Sequence, residues 1–288
     1  MSGEIEAVAF DCFGTLIDFS DEAFATAYGI VCAEQGIPID GQTFYDKWME
    51  VWRRLANAGT RPDGGEQIAA SSGNAANALI NRPAALSEAE AIPPHPEHHT
   101  PSAGRNRSLD GPIPEYRSYR EEWTEHFAIC FEELGVEGDA PAAHERLREL
   151  LAQGNAFPDS RRVVERVGRR LQTAMLSNAD NDFLHPVLNR NGLVFPVVMS
   201  SESARVYKPH AAIFRKLADE LGLPPESILY VGDSRLADVT GAANAGLHTA
   251  WLNRRRSGDD PNASGRNLLQ PDYEIETLDQ LLGILDIA

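Results

Sequence analysis

Ile5-Glu6-Ala7-Val8-Ala9-Phe10-Asp11-Cys12-Phe13-Gly14-Thr15-Leu16 decides how the rest of the chain is read. The apolar run from Ile5 to Phe10 stops abruptly at Asp11 and is followed by Gly14, the pattern of a buried strand feeding a loop. A carboxylate at a strand end followed by a glycine turn lets backbone N–H groups point at an anionic group while the carboxylate attacks it. The stretch therefore predicts both the first strand of a sheet and a candidate nucleophile, Asp11.

Working outward, the chain alternates regularly after Phe157-Pro158. Helical patterns over 160–171, 182–191, 209–221 and 236–245 separate short β-rich runs at 173–176, 194–200, 228–231 and 248–252. Helices between short strands imply a parallel sheet covered on both faces, with function gathered at the carboxyl ends of the strands. Between the two sheet-forming parts the periodicity is helical. Phe24, Tyr28 and Val31, then Phe44, Trp48, Val51, Trp52 and Leu55, recur at three- and four-residue spacings, and the pattern returns with Trp123, Phe127, Ile129, Cys130 and Phe131 and again over 141–151. From about 59 to 114 it fades into Gly, Ser, Asn, Pro and His, which predicts a flexible insertion. The expected organisation is a core formed by 1–17 and 155–288, with 18–154 as a mostly helical unit carrying that insertion.

Four segments at predicted strand ends or helix starts carry the chemistry: Asp11 to Leu16, Ser177-Asn178, Lys208-Pro209, and Gly232-Asp233-Ser234 with Asp238. Any one of them also fits a turn or a helix cap. Their joint order is the specific signal. Ser177 offers a hydroxyl to a substrate oxygen. Lys208, just before a proline suited to a first helical turn, brings positive charge against Asp11 and against the negative charge of a transition state. Asp233 and Asp238 supply hard oxygen ligands of the kind Mg²⁺ prefers.

At these residues the sequence resembles the haloacid dehalogenase-like superfamily of hydrolases, over 1–17 and about 155–288. The resemblance implies a Rossmann-like doubly wound core with an inserted helical cap, and an ester or acyl-phosphate intermediate on Asp11 that water hydrolyses. It implies catalytic roles for Asp11, Thr15, Ser177 and Lys208. Substrate contacts would come from Phe13, Gly14 and Asn178, and a Mg²⁺ site from Asp11, the Phe13 carbonyl, Asp233 and Asp238. Two motifs point in different directions. Superfamily phosphatases carry an acidic residue two positions after the nucleophile, where this chain has Phe13, an arrangement like that of L-2-haloacid dehalogenases; an aromatic ring cannot donate a proton. Gly232-Asp233-Ser234 instead resembles the Mg²⁺-dependent phosphatase form. The arginine that dehalogenase caps use falls near Asp46 or Lys47, with Arg53 and Arg54 further along. Phosphonatases of the superfamily offer a third precedent through a cap lysine, for which Lys47 stands as the candidate. A binding protein that keeps the fold without catalysis is the reading from another class, and the retention of Asp11, Ser177, Lys208 and Asp233 speaks against it.

Bulk properties narrow the partners. The 288 residues are 42% apolar, enough for a substantial core, and the formal net charge of −17 disfavours broad contact with nucleic acid or an anionic membrane. Three cysteines without CxxC spacing indicate neither a disulfide framework nor a structural zinc site. No apolar run is long enough to cross a bilayer and no secretion signal is evident, so the expectation is a cytoplasmic enzyme of small anionic metabolites, able to form a homodimer. His95, His98 and His99 read as a surface tract, Trp48, Trp52 and Trp123 as core packing, and Cys12 as a small packing residue.

Overall fold

The computed structural model describes residues 4–57, 107–254 and 268–287. The sheet is built from β1 (Ala7–Phe10), β2 (Gln172–Ser177), β3 (Val197–Ser200), β4 (Ile228–Gly232), β5 (His248–Leu252) and β6 (Tyr273–Ile275). All neighbouring strands run parallel in the order β3-β2-β1-β4-β5-β6, a doubly wound topology. The order reverses beside β1, between β2 and β4, and the crevice outside the carboxyl ends there is where such sheets bind ligands.

β1 is central, which is why its sequence is apolar throughout instead of alternating. All four residues are buried, with Val8 and Phe10 in one apolar cluster and Ala7 and Ala9 in the other. The first cluster packs beneath α5 (Ser160–Gly168), α6 (Asn181–Arg190) and α10 (Asp279–Ile284). The second lies beneath α8 (Ala211–Leu221) and α9 (Gly241–Ala245), with the short α7 (Ser201–Ala204) nearby. Burying side chains such as Phe10, Met175 and Leu229 contributes about 1.5–3 kcal/mol each.

A third cluster belongs to α1 (Asp21–Glu34), α2 (Gly41–Asn57), α3 (Tyr119–Leu134) and α4 (Ala140–Leu151). Tyr28, Phe44, Trp48, Phe127 and Leu147 meet at its centre, so Trp48 is a packing residue as the helical stripe predicts. Local signals set the helix ends. Ser118 and Glu121 form a capping box at the start of α3, Gly135 ends it in a left-handed conformation, and Asp139 caps α4 just before Pro141. Phe19 and Phe183 are packed against both the first and the third clusters and so join the helical unit to the sheet.

The structure departs from the sequence reading in three places. The helix expected over 236–245 is a wide turn, Arg235–Thr240, followed by the short α9, because Val239 N–H reaches back five residues to Ser234 O. β6 and α10 were not foreseen; Tyr273–Ile275 is three residues long and carries little pattern of its own. Of the insertion expected at 59–114, residues 59–106, including His95, His98 and His99, lie outside the described residues. The end of it is held in place: Leu109 is buried and Asp110 pairs with Arg215 of α8.

Candidate active site

Asp11 continues β1, its backbone N–H donating to Val231 O of β4 at 2.9 Å. The four segments singled out in the sequence meet here. Asp11 extends β1, Ser177 ends β2, Asp233 follows β4, and Lys208 lies between α7 and α8. Asp11 is only 5% exposed and Lys208 only 3%. Lys208 Nζ contacts three oxygens, Asp11 Oδ1 and Asp238 Oδ1 at 2.6 Å each and the Tyr230 hydroxyl at 2.9 Å. An ammonium has three donors, so each is matched. Burial works against the charge of Lys208, but Asp11, Asp238 and Tyr230 hold its pKa well above the ordinary lysine value.

Asn178 has a different place from the one the resemblance implies. Its amide nitrogen donates to Lys208 O at 2.9 Å and its oxygen accepts from Lys208 N at 2.8 Å, so the side chain clamps the lysine backbone, with one N–H and one lone pair to spare. Lys47 is not brought to the site. Its ammonium lies 2.7 Å from Glu50 and 3.6 Å from Glu133, pairs within and between α2 and α3, and it does not line the cleft.

Asp11, Asp233 and Asp238 each offer an oxygen within 4.8 Å of the others. Burial, then the charges of Asp11 and Asp238, push Asp233 well above the ordinary carboxylate range. The Asp233 side chain still opens onto the cleft, so the carboxylate repulsion is the part of that shift a cation would relieve. Asp238 is pushed up to about 6 by burial, with Asp11 adding to the shift and Lys208 opposing it. Its other oxygen accepts Ser234 N–H at 2.9 Å, so Asp238 also holds the lysine and the turn. Gly14 has φ +87°, and a Cβ there would fall 2.3 Å from Asp233 Oδ2; only glycine lets this carboxylate approach the turn. Thr15 Oγ1 donates to Asp233 Oδ1 at 3.2 Å. This hard, oxygen-only set, open on the cleft side, fits a divalent cation such as Mg²⁺.

A cleft of about 720 Å³ opens beside Asp233. Gly14, Asp18, Phe19 and Trp251 line it from the sheet side, and Gln42, Tyr45, Asp46, Met49 and Arg53 from α2. Arg53, not Lys47, is therefore the α2 cation that reaches this space. Phe13 sits in an aromatic wall, its ring centroid 4.5 Å from Phe19 and 5.3 Å from Phe183.

Residues 5–246 match the model of the haloacid dehalogenase-like hydrolases. The chain belongs to this family. It is 32% identical to the (S)-2-haloacid dehalogenase of Pseudomonas sp. (strain YL) over 140 residues, 48% of this chain and 57% of that protein. The chain thus spans less than two thirds of that relative's length. It is 27% identical to the phosphoglycolate phosphatase of Yersinia pseudotuberculosis over 244 residues, 84% of this chain and 78% of that one. Among solved structures, the HAD-hydrolase YfnB from Bacillus subtilis, bound to magnesium, superposes with a TM-score of 0.68 at 20% identity, covering 99% of this chain and all of that one. At that identity the likeness is one of fold. As a haloacid dehalogenase-like hydrolase the chain has relatives with both carbon–halogen and phosphoester activities, which mirrors its two divergent motifs.

Sequence reasoning missed three contributors. Tyr230, a tyrosine in an otherwise apolar strand run, implied a buried hydroxyl in need of partners, and those are Lys208 and the Leu176 carbonyl. Trp251 Nε1 donates to the Asp233 carbonyl at 2.9 Å, a pairing across two strands that no local pattern announces. Arg254, which lines the cleft, binds Asp159 and the Thr15 carbonyl and covers the Phe157 ring, bracing the first loop. Cys12, Cys32 and Cys130 are all free and buried. Among the described residues no helix is long and apolar enough to cross a membrane.

Proposed function

We propose that this hydrolase cleaves a small phosphorylated or otherwise activated anionic metabolite through a phosphorylated Asp11, with Mg²⁺ as cofactor. The observation that carries the reading is Asp233, a carboxylate within 4.8 Å of the nucleophile and open to the cleft. A metal-independent dehalogenase has no need of a second acidic ligand there, whereas a phosphoryl group needs its charge offset.

Asp11 Oδ attacks phosphorus in line with the leaving oxygen. Lys208, fixed by Asp238 and Tyr230, holds Asp11 in place and faces the charge that builds on the phosphoryl oxygens. Ser177 and the backbone around Gly14 hold the remaining oxygens. Mg²⁺, held by Asp11, Asp233 and the Phe13 carbonyl, would neutralise phosphoryl charge when bound. Water then splits the acyl phosphate, and Asp11 is restored as a carboxylate. Helices α1 to α4 act in this reading as a cap over the cleft and exclude water until the acyl phosphate has formed.

Phe13 favours a second reading, carbon–halogen cleavage of a 2-haloacid, because halide leaves without a proton. Hydrolysis of an aryl phosphate and of L-2-haloacids, each with Mg²⁺ and with EDTA, on wild type and Asp11→Asn, separates the two. Phosphate release that needs both Mg²⁺ and Asp11 supports the first. Halide release that survives EDTA replaces it with the second.

A further inference from the structure

Resting on the reading that Lys208 faces the charge of the reacting group, we propose that Tyr207 and His210 are positioning residues for this lysine, each tying its loop to the run 110–118 that leads into α3. The loop is a tight turn. His210 N–H donates to Tyr207 O at 3.0 Å, which places Lys208 and Pro209 at its centre. From the sheet side the Asn178 side chain holds the Lys208 backbone N–H and carbonyl. From the other side both corners of the turn are bonded to one short stretch of chain.

Tyr207 is 1% exposed, and its hydroxyl donates to Arg117 O at 2.7 Å. Its ring stacks on Tyr116 and meets Tyr119 edge-on, with centroids 5.2 Å apart in both pairs. A phenylalanine would fill that space equally well, so the hydroxyl is the part that reaches across to the carbonyl. His210 acts at the opposite corner. Its Nδ1 accepts Ala212 N–H at 3.1 Å at the start of α8, so Nε2 is the nitrogen that carries the proton, and it donates to Gly111 O at 3.1 Å. The stretch that these two side chains hold is itself anchored. Leu109 is buried, and both oxygens of Asp110 meet the Arg215 guanidinium, at 2.5 and 2.7 Å.

Lys208 Nζ has to meet Asp11, Asp238 and Tyr230 from one point, at 2.6, 2.6 and 2.9 Å. A long, flexible side chain reaches that point reproducibly only if its backbone is fixed, and a displacement of about 1 Å at a reacting centre costs on the order of 10²-fold in rate. Asn178 fixes the peptide groups of Lys208. Tyr207 and His210 fix the turn as a whole, so that it cannot rock about that clamp. Because the anchoring run continues into α3, the lysine is placed by the chain that enters the helical unit as well as by the sheet. The role is the same whether phosphorus or carbon is attacked, since the lysine acts on Asp11 in both.

The experiment compares wild type with Tyr207→Phe, His210→Asn, His210→Gln and Gln35→Ala, by kcat and KM for an aryl phosphate with Mg²⁺ and by NMR of protein carrying lysine labelled with ¹³C at Cε. The sequence has three lysines, Lys47, Lys208 and Lys216, and Lys47→Arg and Lys216→Arg assign their signals. Tyr207→Phe removes only the hydroxyl, and His210→Asn keeps the α8 cap but is too short to reach Gly111. Each should lower kcat about tenfold with KM within about twofold, and should displace the Lys208 signal while that of Lys47 stays. His210→Gln, whose amide nitrogen stands where Nε2 did, should keep most of the rate and a Lys208 signal near that of wild type. Gln35→Ala, which loses two bonds to the Asp139 backbone inside the helical unit, should leave both unchanged. A Lys208 signal that stays put in Tyr207→Phe and His210→Asn overturns the proposal, as does a kcat within about twofold of wild type in both, or an equal displacement in Gln35→Ala. Failure of the underlying reading looks different: wild type releases no phosphate above the Asp11→Asn level, and the Lys208 signal alone then decides the positioning.

Discussion

Trp251 Nε1 lies 2.9 Å from the carbonyl oxygen of Asp233, and the guanidinium of Arg235 covers the same indole at 4.7 Å from its centroid. The bond fixes the backbone of the carboxylate that faces Asp11, across the gap between β4 and β5. Trp251→Phe keeps most of the apolar volume and removes the donor. Global stability should fall by only about 1 kcal/mol, the net worth of one hydrogen bond. Mg²⁺ affinity should fall severalfold more than that loss of stability implies, read by calorimetric titration of the metal alone as well as by the Mg²⁺ dependence of turnover. An unchanged Mg²⁺ affinity would show that Asp233 is held well enough by Thr15 and Gly14.

Lys208 tests charge and geometry separately. Lys208→Met strands Asp11 and Asp238, 5% and 2% exposed, without their cation and should cost about 3–5 kcal/mol in urea unfolding at neutral pH. Lys208→Arg keeps the charge, but a planar fork cannot match three oxygens arranged around one point. It should recover part of the stability while kcat stays at least ~10²-fold down. Equal activity in the arginine variant would show that charge alone suffices at this position.

The contrast between these two residues also explains what could be read from the sequence. Lys208 was legible because it is one of three lysines and precedes a proline at a predicted helix start. Asp11, Ser177 and Asp233 were legible because a parallel sheet delivers side chains at strand ends, and an apolar run that stops at a polar residue marks such an end. Asn178 lay in the right segment, but its role depends on the distant backbone of Lys208, which no local pattern encodes. Lys47 failed for a similar reason. Its spacing on α2 was clear, and Glu50 three residues on is its nearest partner, but the packing that turns this face toward Glu133 of α3 is set by residues distant in sequence. Trp251 stayed invisible because a tryptophan in an apolar strand reads as core until the neighbouring strand is placed beside it.

Asp180 and Asp182 connect α6 to the helical unit by bonds of unequal value. The buried Asp180 carboxylate accepts the backbone N–H groups of Tyr119 and Arg120 at 3.1 and 3.0 Å, capping the first turn of α3 from the sheet side. Asp182 pairs with Arg120 and Arg148 at 2.8 Å each, but it is exposed. Asp180→Ala should therefore cost about 1–2 kcal/mol, and Asp182→Ala at most about 1 kcal/mol with a marked salt dependence. Chemical denaturation of both variants at low and high ionic strength measures the difference. The reverse ranking would mean that the ion pairs, not the cap, hold α3 to the sheet.

His144 of α4 gives the fold a defined acid limit. It is 1% exposed, packs edge-on against Trp123, and its pKa is lowered to about 4 by burial and then by the charges of Arg148 and Arg120, with Asp182 opposing them. Glu145, the adjacent residue, lies 3.6 Å from Nδ1. A histidine whose folded pKa lies below its unfolded value of about 6.5 is neutral in the native state. Its contribution is fully present above the unfolded pKa and is lost as pH falls from about 6.5 to about 4, because the unfolded chain binds the proton first. The loss amounts to roughly 3 kcal/mol over that window. His144→Leu, neutral at every pH, should flatten the unfolding free energy between pH 6.5 and 4 relative to wild type, leaving the acid loss due to paired carboxylates such as Asp182 at lower pH. Parallel curves for the two proteins across that window would place the acid sensitivity elsewhere in the chain.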